Sequence, residues 1–251
     1  MKVLITGVSQ GLGWFLAKEL LKQGHEVWGI SRKGPEHQTI SDLHQYPNFT
    51  YSSCDLTQEN QVIKFIDEVT RHNFSAEALI LNAALMENDY INDQWDFLKF
   101  KEIIEVNLIG TANLTAKLLP FFQQRKKGVI VGISSIASIR ALLTNKIGYA
   151  ASKAALNMTF ESLRLQMGYS YPDIRFITVI LGPLEQKDQP FSSSYSQITK
   201  KIISIIKKSK WKEVYRYPLI SSVIYKFLCM IPDRFIARHI IQPRRQHMEK
   251  P

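Results

Sequence analysis

Cysteine is scarce: Cys54 and Cys229 are the only two in 251 residues, and neither belongs to a Cys-x-x-Cys pair or a His/Cys metal spacing. A disulfide framework is thereby excluded; a reducing compartment is the expectation, and no structural zinc is expected. Long apolar runs are missing as well, since no stretch approaches the roughly 18 residues that a membrane span requires. The opening "MKVLITG" offers one lysine and a few apolar residues before glycine intervenes. That is too little for a signal-peptide core, so the fold is expected to begin at once. Internal repeats and low-complexity linkers are absent too. What remains is an ordinary globular composition, 45% hydrophobic and 22% charged, in a chain long enough to bury one large α/β core.

Acidic residues run short in one region only. Residues 1–186 carry 18 Lys/Arg and 18 Asp/Glu, whereas residues 187–251 carry 14 and 4, so the last quarter holds the whole formal net charge of +10. Such a segment suits an anionic membrane, an acidic partner or a plainly solvated face. Nucleic acid is not expected, because the charges are interspersed with aliphatic residues and no groove-reading motif accompanies them.

Six short apolar runs, "KVLITG", "HEVWGIS", "NFTYSSC", "ALILNA", "GVIVGISS" and "IRFITVIL", recur at helix-sized intervals. Near-continuous Val/Ile/Leu strands spaced in this way predict a parallel sheet covered on both faces, a doubly wound α/β architecture. Helices are expected at about 11–24, 58–72, 95–123 and 149–168. The segment "DQPFSSSYSQ", 188–197, reads as a loop, either a substrate-covering flap or an ordinary surface connection.

"TGVSQGLG", Thr6 to Gly13, follows the first strand and opens the first helix. Glycines there allow a sharp turn and a close approach to a pyrophosphate, which then faces the unpaired N–H groups of the helix N-terminus. A dinucleotide site over Thr6, Gly7, Ser9, Gln10, Gly11, Leu12 and Gly13 is the favoured reading, a bare strand-to-helix turn the other. Downstream, "YAASK" puts Tyr149 and Lys153 four residues apart, on one face of a helix. Taken alone, such a pair is a frequent coincidence.

With the spacing T-G-x-x-x-G-x-G and "YAASK" together, the chain resembles the short-chain dehydrogenase/reductase family in its classical form, over roughly residues 2–186. The resemblance implies a Rossmann-type fold and an NAD(P)-dependent oxidoreductase that interconverts a carbonyl and an alcohol. It implies that Asp55 in "SCDLT", with Leu56 beside it, lies against the adenine ring. Asn82 and Ala83 in "LNAA" stand where the family has N-A-G, with Ala84 in place of its glycine, and Asn82 is expected to tie neighbouring strands together near the cofactor. It further implies a catalytic tetrad of Asn107, Ser135, Tyr149 and Lys153. In that set Tyr149 is the general acid or base and Ser135 positions the substrate oxygen. Lys153 lowers the tyrosine pKa and holds the nicotinamide ribose, and Asn107 supports a water linking the lysine to solvent.

The choice of nicotinamide cofactor falls at the end of the second strand, "WGISRK". Ser31 stands where an NAD site places an acid, and Arg32 follows, able to grip a 2′-phosphate in a charge-assisted fork. NADP(H) preference over NAD(H) is therefore expected, a solvated basic turn being the alternative. Bringing a tyrosine from its usual pKa of about 10 to near 7 takes roughly 4 kcal/mol, far more than an exposed lysine supplies, so the pair works only in a desolvated site.

Three departures from the family pattern stand out. Ser135 to Tyr149 spans 14 positions, one more than the family's spacing, and Ser134 is a second candidate for the serine role. After the sixth strand the usual Pro-Gly appears as Leu181-Gly182 followed by Pro183, with Gly182 and Pro183 the expected cofactor contacts. Gln186 replaces the threonine expected a few residues on. "KEVYRYP", 212–218, is expected as a seventh strand, and "LISSVIYKFLCMI", 219–231, has 13 residues with one charge. As a helix it would rise only about 20 Å against a bilayer core of about 30 Å, so it is expected to lie on a membrane surface, pack on a partner or pack on its own domain.

Residues 1–217 are thus read as an NADP-binding catalytic domain and 218–251 as a basic amphipathic extension. The expected function is NADP(H)-dependent carbonyl/alcohol chemistry on a small molecule, with a lipophilic one among the candidates. The alternative is a catalytically silent dinucleotide-binding protein that senses redox state, and epimerisation or dehydration on the same scaffold is less supported. Family habit implies a homodimer or homotetramer built on the helices near 95–123 and 149–168. The expected location is cytoplasmic, with residues 200–251 offering contact to the anionic inner face of a membrane.

Overall fold

Alternation along the first strand sets the architecture. In β1 (Lys2–Thr6), Val3 and Ile5 point into one apolar cluster and Leu4 into another on the opposite side of the sheet, as the period of two requires. The same division continues through β2 (Glu26–Ser31), β4 (Ala78–Leu81), β5 (Gly128–Ser135) and β6 (Ile174–Leu181), whereas the edge strands β3 (Phe49–Ser53) and β7 (Val214–Tyr217) give apolar residues to one cluster alone. All neighbouring pairs are parallel, in the order β3-β2-β1-β4-β5-β6-β7. Because both faces must be covered, the five inner strands are apolar almost throughout. This computed structural model describes residues 1–185 and 192–242.

One face is covered by α1 (Gly11–Lys22), by α2 (Gln38–His44) and by α7 (Tyr195–Lys207), whose Ile198, Ile202 and Ile206 reach the sheet. The other carries α3 (Glu59–Arg71), α5 (Thr111–Arg125) and α6 (Ile147–Met167), with Phe65, Phe122, Phe160 and Phe176 wholly buried between helices and strands. Burial of each such side chain contributes about 1.5–3 kcal/mol. Strand order reverses between β1 and β4, and a crevice opens there at the carboxyl ends of the strands, where ligands of doubly wound sheets bind.

The six expected strands and the seventh all form, and the four expected helices fall within a few residues of their predicted bounds. Four features differ. The helix expected at 95–123 runs as α4 (Phe97–Ile104), a π-type segment Glu105–Gly110, and α5. The short α2 and the two-stranded hairpin of Tyr90–Ile91 with Gln94–Trp95 have too few residues for a periodic signal. The loop read at 188–197 gives way at Tyr195 to α7, which Ser194 opens with a capping box to Gln197. Residues 188–191 of that loop, and Gln186, lie outside the described residues.

β7 is followed by α8 (Leu219–Leu228) and α9 (Asp233–Ile236), the latter running on into a π-type segment, Ala237–Ile241. In α8 the usual polarity is reversed. Ser221 and Ser222 are the buried residues, while Leu219, Ile220, Val223 and Phe227 face outward, Phe227 being 63% exposed. The apolar segment at 219–231 therefore does not use its hydrophobic stripe to pack on its own domain. The long loop after Ser135 helps to hold this unit in place: Arg140 donates to the Ile231 carbonyl oxygen at 3.1 Å and to Asp233 at 2.6 Å.

Candidate active site

The glycine loop is built around two close approaches. Gly7 turns with φ +74°, and a Cβ there would lie 2.9 Å from the Cα of Ala83. A Cβ on Gly13 would collide with the carbonyl oxygen of Gly7, so glycine lets the first turn of α1 sit against the end of β1. Thr6 Oγ1 accepts from the amides of Asn82 at 3.0 Å and Ala83 at 2.9 Å. Asn82 Nδ2 in turn donates to the carbonyls of Thr6 and Gly7 at 3.1 and 3.2 Å. Asn82 thus ties β4 to the loop. At the head of α1, Gln10 makes no side-chain cap and the first turn holds no acid, leaving amides of Gly11, Leu12 and Gly13 for an anion. The Ser9 carbonyl accepts from Thr39 Oγ1 at 2.6 Å.

At the end of β2, Ser31 is buried and its hydroxyl pairs with Tyr51 Oη at 2.8 Å. Arg32 is exposed and makes no hydrogen bond or ion pair among the described residues. Asp55 spends one carboxylate oxygen on Thr57, accepting from its amide and its hydroxyl at 2.9 Å each, and Leu56 is buried beside it. Gly182 donates to the Tyr217 carbonyl at 2.9 Å, and the Pro183 carbonyl accepts from Ser193 at 3.0 Å.

A cavity of about 310 Å³ at this edge of the sheet brings the expected catalytic groups together: Ser135, Tyr149 and Lys153 all line it, beside Leu12, Asn82, Gly182 and Pro183. Ser135 Oγ accepts from the Ala137 amide at 3.2 Å, and Ser135 and Tyr149 line the cavity together. Ser134 instead turns toward Ser138 Oγ and the Lys153 carbonyl, each at 3.4 Å. Lys153 is 3% exposed, donates to the Ile133 carbonyl at 2.8 Å, and has its Nζ 5.8 Å from the centre of the Tyr149 ring.

The desolvation that this pair needs is therefore present. Burial pushes the Lys153 pKa down to about 8, which leaves the ammonium mostly charged at neutral pH. Burial also raises the Tyr149 pKa, against the opposing pull of Ser135, which lowers it. Both burial effects favour the neutral forms.

Asn107 lies in the π-type segment, a winding common at functional sites, and its amide is fully engaged. Its Oδ1 accepts from the Leu85 amide at 2.7 Å, and its Nδ2 donates to the Leu85 carbonyl at 2.9 Å and to Ser152 Oγ at 3.0 Å. Ser152 passes the link to the Tyr149 carbonyl at 2.8 Å. The side chain thus braces the helix that carries Tyr149.

Several residues of the site carry no motif. Asp89, wholly buried, accepts from the Ile147 amide at 2.7 Å and from the Gly148 amide, fastening the start of α6. Ser152 sits inside "YAASK" without being one of its signature positions. Lys146, Tyr195 and Tyr225 also line the cavity, and none of the three belongs to a motif. Among the described residues no group of three or more His, Cys, Asp and Glu side chains gathers as a metal site.

The short chain dehydrogenase family model matches residues 1–190, and the chain belongs to that family of NAD(P)-dependent oxidoreductases. Over 240 residues it is 29% identical to the mouse dehydrogenase/reductase SDR family member 7, covering 93% of this chain and 68% of the relative. Over 183 residues it is 32% identical to an Arabidopsis thaliana 11-beta-hydroxysteroid dehydrogenase-like protein, covering 72% of this chain and 58% of the relative. Among solved structures, a Burkholderia cenocepacia short chain dehydrogenase in complex with NADP superposes with a TM-score of 0.76 at 23% identity, covering 100% of this chain and 98% of that one. Serine dehydrogenase from Escherichia coli gives a TM-score of 0.75 at 18% identity, covering 86% and 96%. At these identities the structures speak for the fold. No helix of the described residues is long and apolar enough to cross a membrane.

Proposed function

We propose that this chain is an NADP(H)-dependent oxidoreductase that interconverts a carbonyl and an alcohol, with Tyr149 as the proton donor in reduction and acceptor in oxidation. The observation that carries it is the gathering of Ser135, Tyr149 and buried Lys153 on one cavity beside the open head of α1. The residues fit the cofactor. Gly7, Gly11, Gly13 and the amides of α1 suit the pyrophosphate, Arg32 suits a 2′-phosphate, and Thr6, Asn82 and Ala83 hold the loop in shape. Asp55 and Leu56 suit the adenine end, and Gly182 and Pro183 the nicotinamide end.

NADPH, when bound, supplies the hydride. Tyr149 donates its hydroxyl proton to the substrate oxygen, and Ser135 donates a hydrogen bond that fixes that oxygen and stabilises the charge developing on it. Lys153 holds a positive charge close to the phenol, favouring the tyrosinate that remains. Asn107, through Ser152, keeps Tyr149 in register with Ser135.

The cavity wall is largely apolar away from these groups, including Met86, Ile136, Leu143 and Leu184, which supports a lipophilic substrate. The outer surface of α8 supports its source. Tyr225 faces the cavity while Val223 and Phe227 face out, and Lys226, Arg234 and Arg238, within α8 or soon after it in the chain, are exposed. An exposed apolar stripe in a segment rich in exposed cations fits an anionic lipid surface, on which the protein would lie peripherally. Exposed Ile109, Met158 and Leu165 on the helices of the other face support a homo-oligomer.

Fluorescence titration with NADPH and NADH, followed by NADPH consumption against a panel of ketones and aldehydes, tests the assignment. NADPH-selective binding with turnover is expected. Failure to bind either dinucleotide overturns it.

A further inference from the structure

One charged side chain on the cavity wall has no part in the proposed chemistry. Lys146 stands one turn before Tyr149, at the position that opens α6, and lines the same cavity. Its backbone is held by the turn from Leu143 and by the first bond of the helix, made by the Ala150 amide to the Lys146 carbonyl. Its Nζ donates to the main-chain carbonyl of Met86 at 3.0 Å.

The carboxylates nearest to it are engaged elsewhere. Asp89 accepts from the Ile147 and Gly148 amides, and Glu87 pairs with Lys99 at 2.9 Å. No acidic residue lines the cavity among the described residues. Lys146 is half-buried, and burial lowers its pKa against the opposing pull of Asp89 and Glu87.

This arrangement discriminates among substrates. A neutral molecule that filled the cavity would strip water from the exposed side of the ammonium and offer nothing in return, which is costly. An anionic group on the molecule would replace that water with a charge-assisted hydrogen bond. The cavity therefore selects by penalty as well as by attraction. The remaining wall, with Met86, Ile136, Leu143 and Tyr225, is apolar or aromatic.

We propose that the substrate is an amphiphilic carbonyl compound, or its alcohol, bearing an acidic group, and that Lys146 receives that group while Ser135 and Tyr149 receive the carbonyl. The proposal rests on the oxidoreductase reading above and names its substrate class.

The test is calorimetric titration of the full chain, saturated with NADPH, using benzoylpropionate and its methyl ester, two aryl ketones of the same skeleton in which the ester replaces the negative charge by a methyl group. The carboxylate is expected to bind about tenfold to a hundredfold more tightly than the ester. In Lys146→Met that preference is expected to shrink to about twofold or less, and in Lys146→Arg to be retained in part, because Arg keeps the charge with a different geometry. Equal binding of the two probes by the wild type, a preference that survives Lys146→Met, or no binding of the carboxylate would each overturn the proposal. NADPH uptake in the same cell reports folding of the variants and separates the two readings. A wild type that takes up no NADPH contradicts both, whereas one that takes it up without distinguishing the probes contradicts the substrate class alone.

Discussion

Replacing Lys153 by methionine is expected to make the cofactor-free protein more stable while removing its activity. Lys153 is 3% exposed, and among the described residues its ammonium has one hydrogen bond, to the Ile133 carbonyl. Its pKa falls from 10.5 to about 8 through burial. In the unfolded chain the lysine keeps its ordinary value, so between about 8 and 10.5 the unfolded state binds more protons than the folded one. Stability contributed by this residue therefore rises with pH across that window, and below it the full cost of burying the charge stands. At about 1.4 kcal/mol per unit that cost is about 3 kcal/mol. Methionine has a similar length and no charge to desolvate, but it forfeits the bond to Ile133, worth about 1 kcal/mol. The net gain at pH 7 is about 2 kcal/mol, equivalent to a melting temperature higher by about 4–8 °C for a chain of this size. Circular-dichroism melts of both proteins at pH 7 and pH 10 supply the readout, the difference shrinking at the higher pH. A variant that melts below the wild type at pH 7, or a difference that ignores pH, would refute the reasoning.

Two further outcomes are expected. Arg32→Asp removes the cation and places an acid where a 2′-phosphate would lie, so the ratio of NADPH to NADH affinity should fall by about a hundredfold or more, and an unchanged ratio would assign Arg32 to a solvated turn. Cosedimentation with vesicles rich in anionic phospholipid should fall sharply in a Val223→Glu, Phe227→Glu double variant, because charge placed on the outward stripe of α8 cannot enter the interface. Equal pelleting of both proteins would rule the stripe out as the contact.

The parts of this fold that were legible in the sequence were those carried by apolar periodicity. Val3, Ile5 and Leu4 announce a two-faced strand, and the same is true of the runs that became β2, β4, β5 and β6. The hairpin at Tyr90 and the short α2 were not legible, because two to seven residues contain too few repeats. α7 escaped notice although Ile198, Ile202 and Ile206 have helical spacing, since the preceding Ser-rich stretch dominated the reading of that region. Of the site, the glycine loop and the Ser135, Tyr149, Lys153 group were legible because their spacing is local or tied to a motif. The bracing of Tyr149 by Asn107 and Ser152, and the fastening of α6 by Asp89, depend on contacts between residues up to 59 positions apart, which periodicity does not encode. The outward stripe of α8 was visible as an apolar run, but its direction was decided by burial of Ser221 and Ser222, against the usual order of polarity.

The proton-transfer role of Tyr149 is the centre of the account, and Tyr149→Phe tests it most directly. The variant keeps the ring and its packing and loses only the hydroxyl. NADPH affinity should stay within about threefold of the wild type, while reduction of whichever carbonyl compound the wild type accepts should fall by about a thousandfold, within the range general acid catalysis contributes. Turnover within tenfold of the wild type would contradict the mechanism.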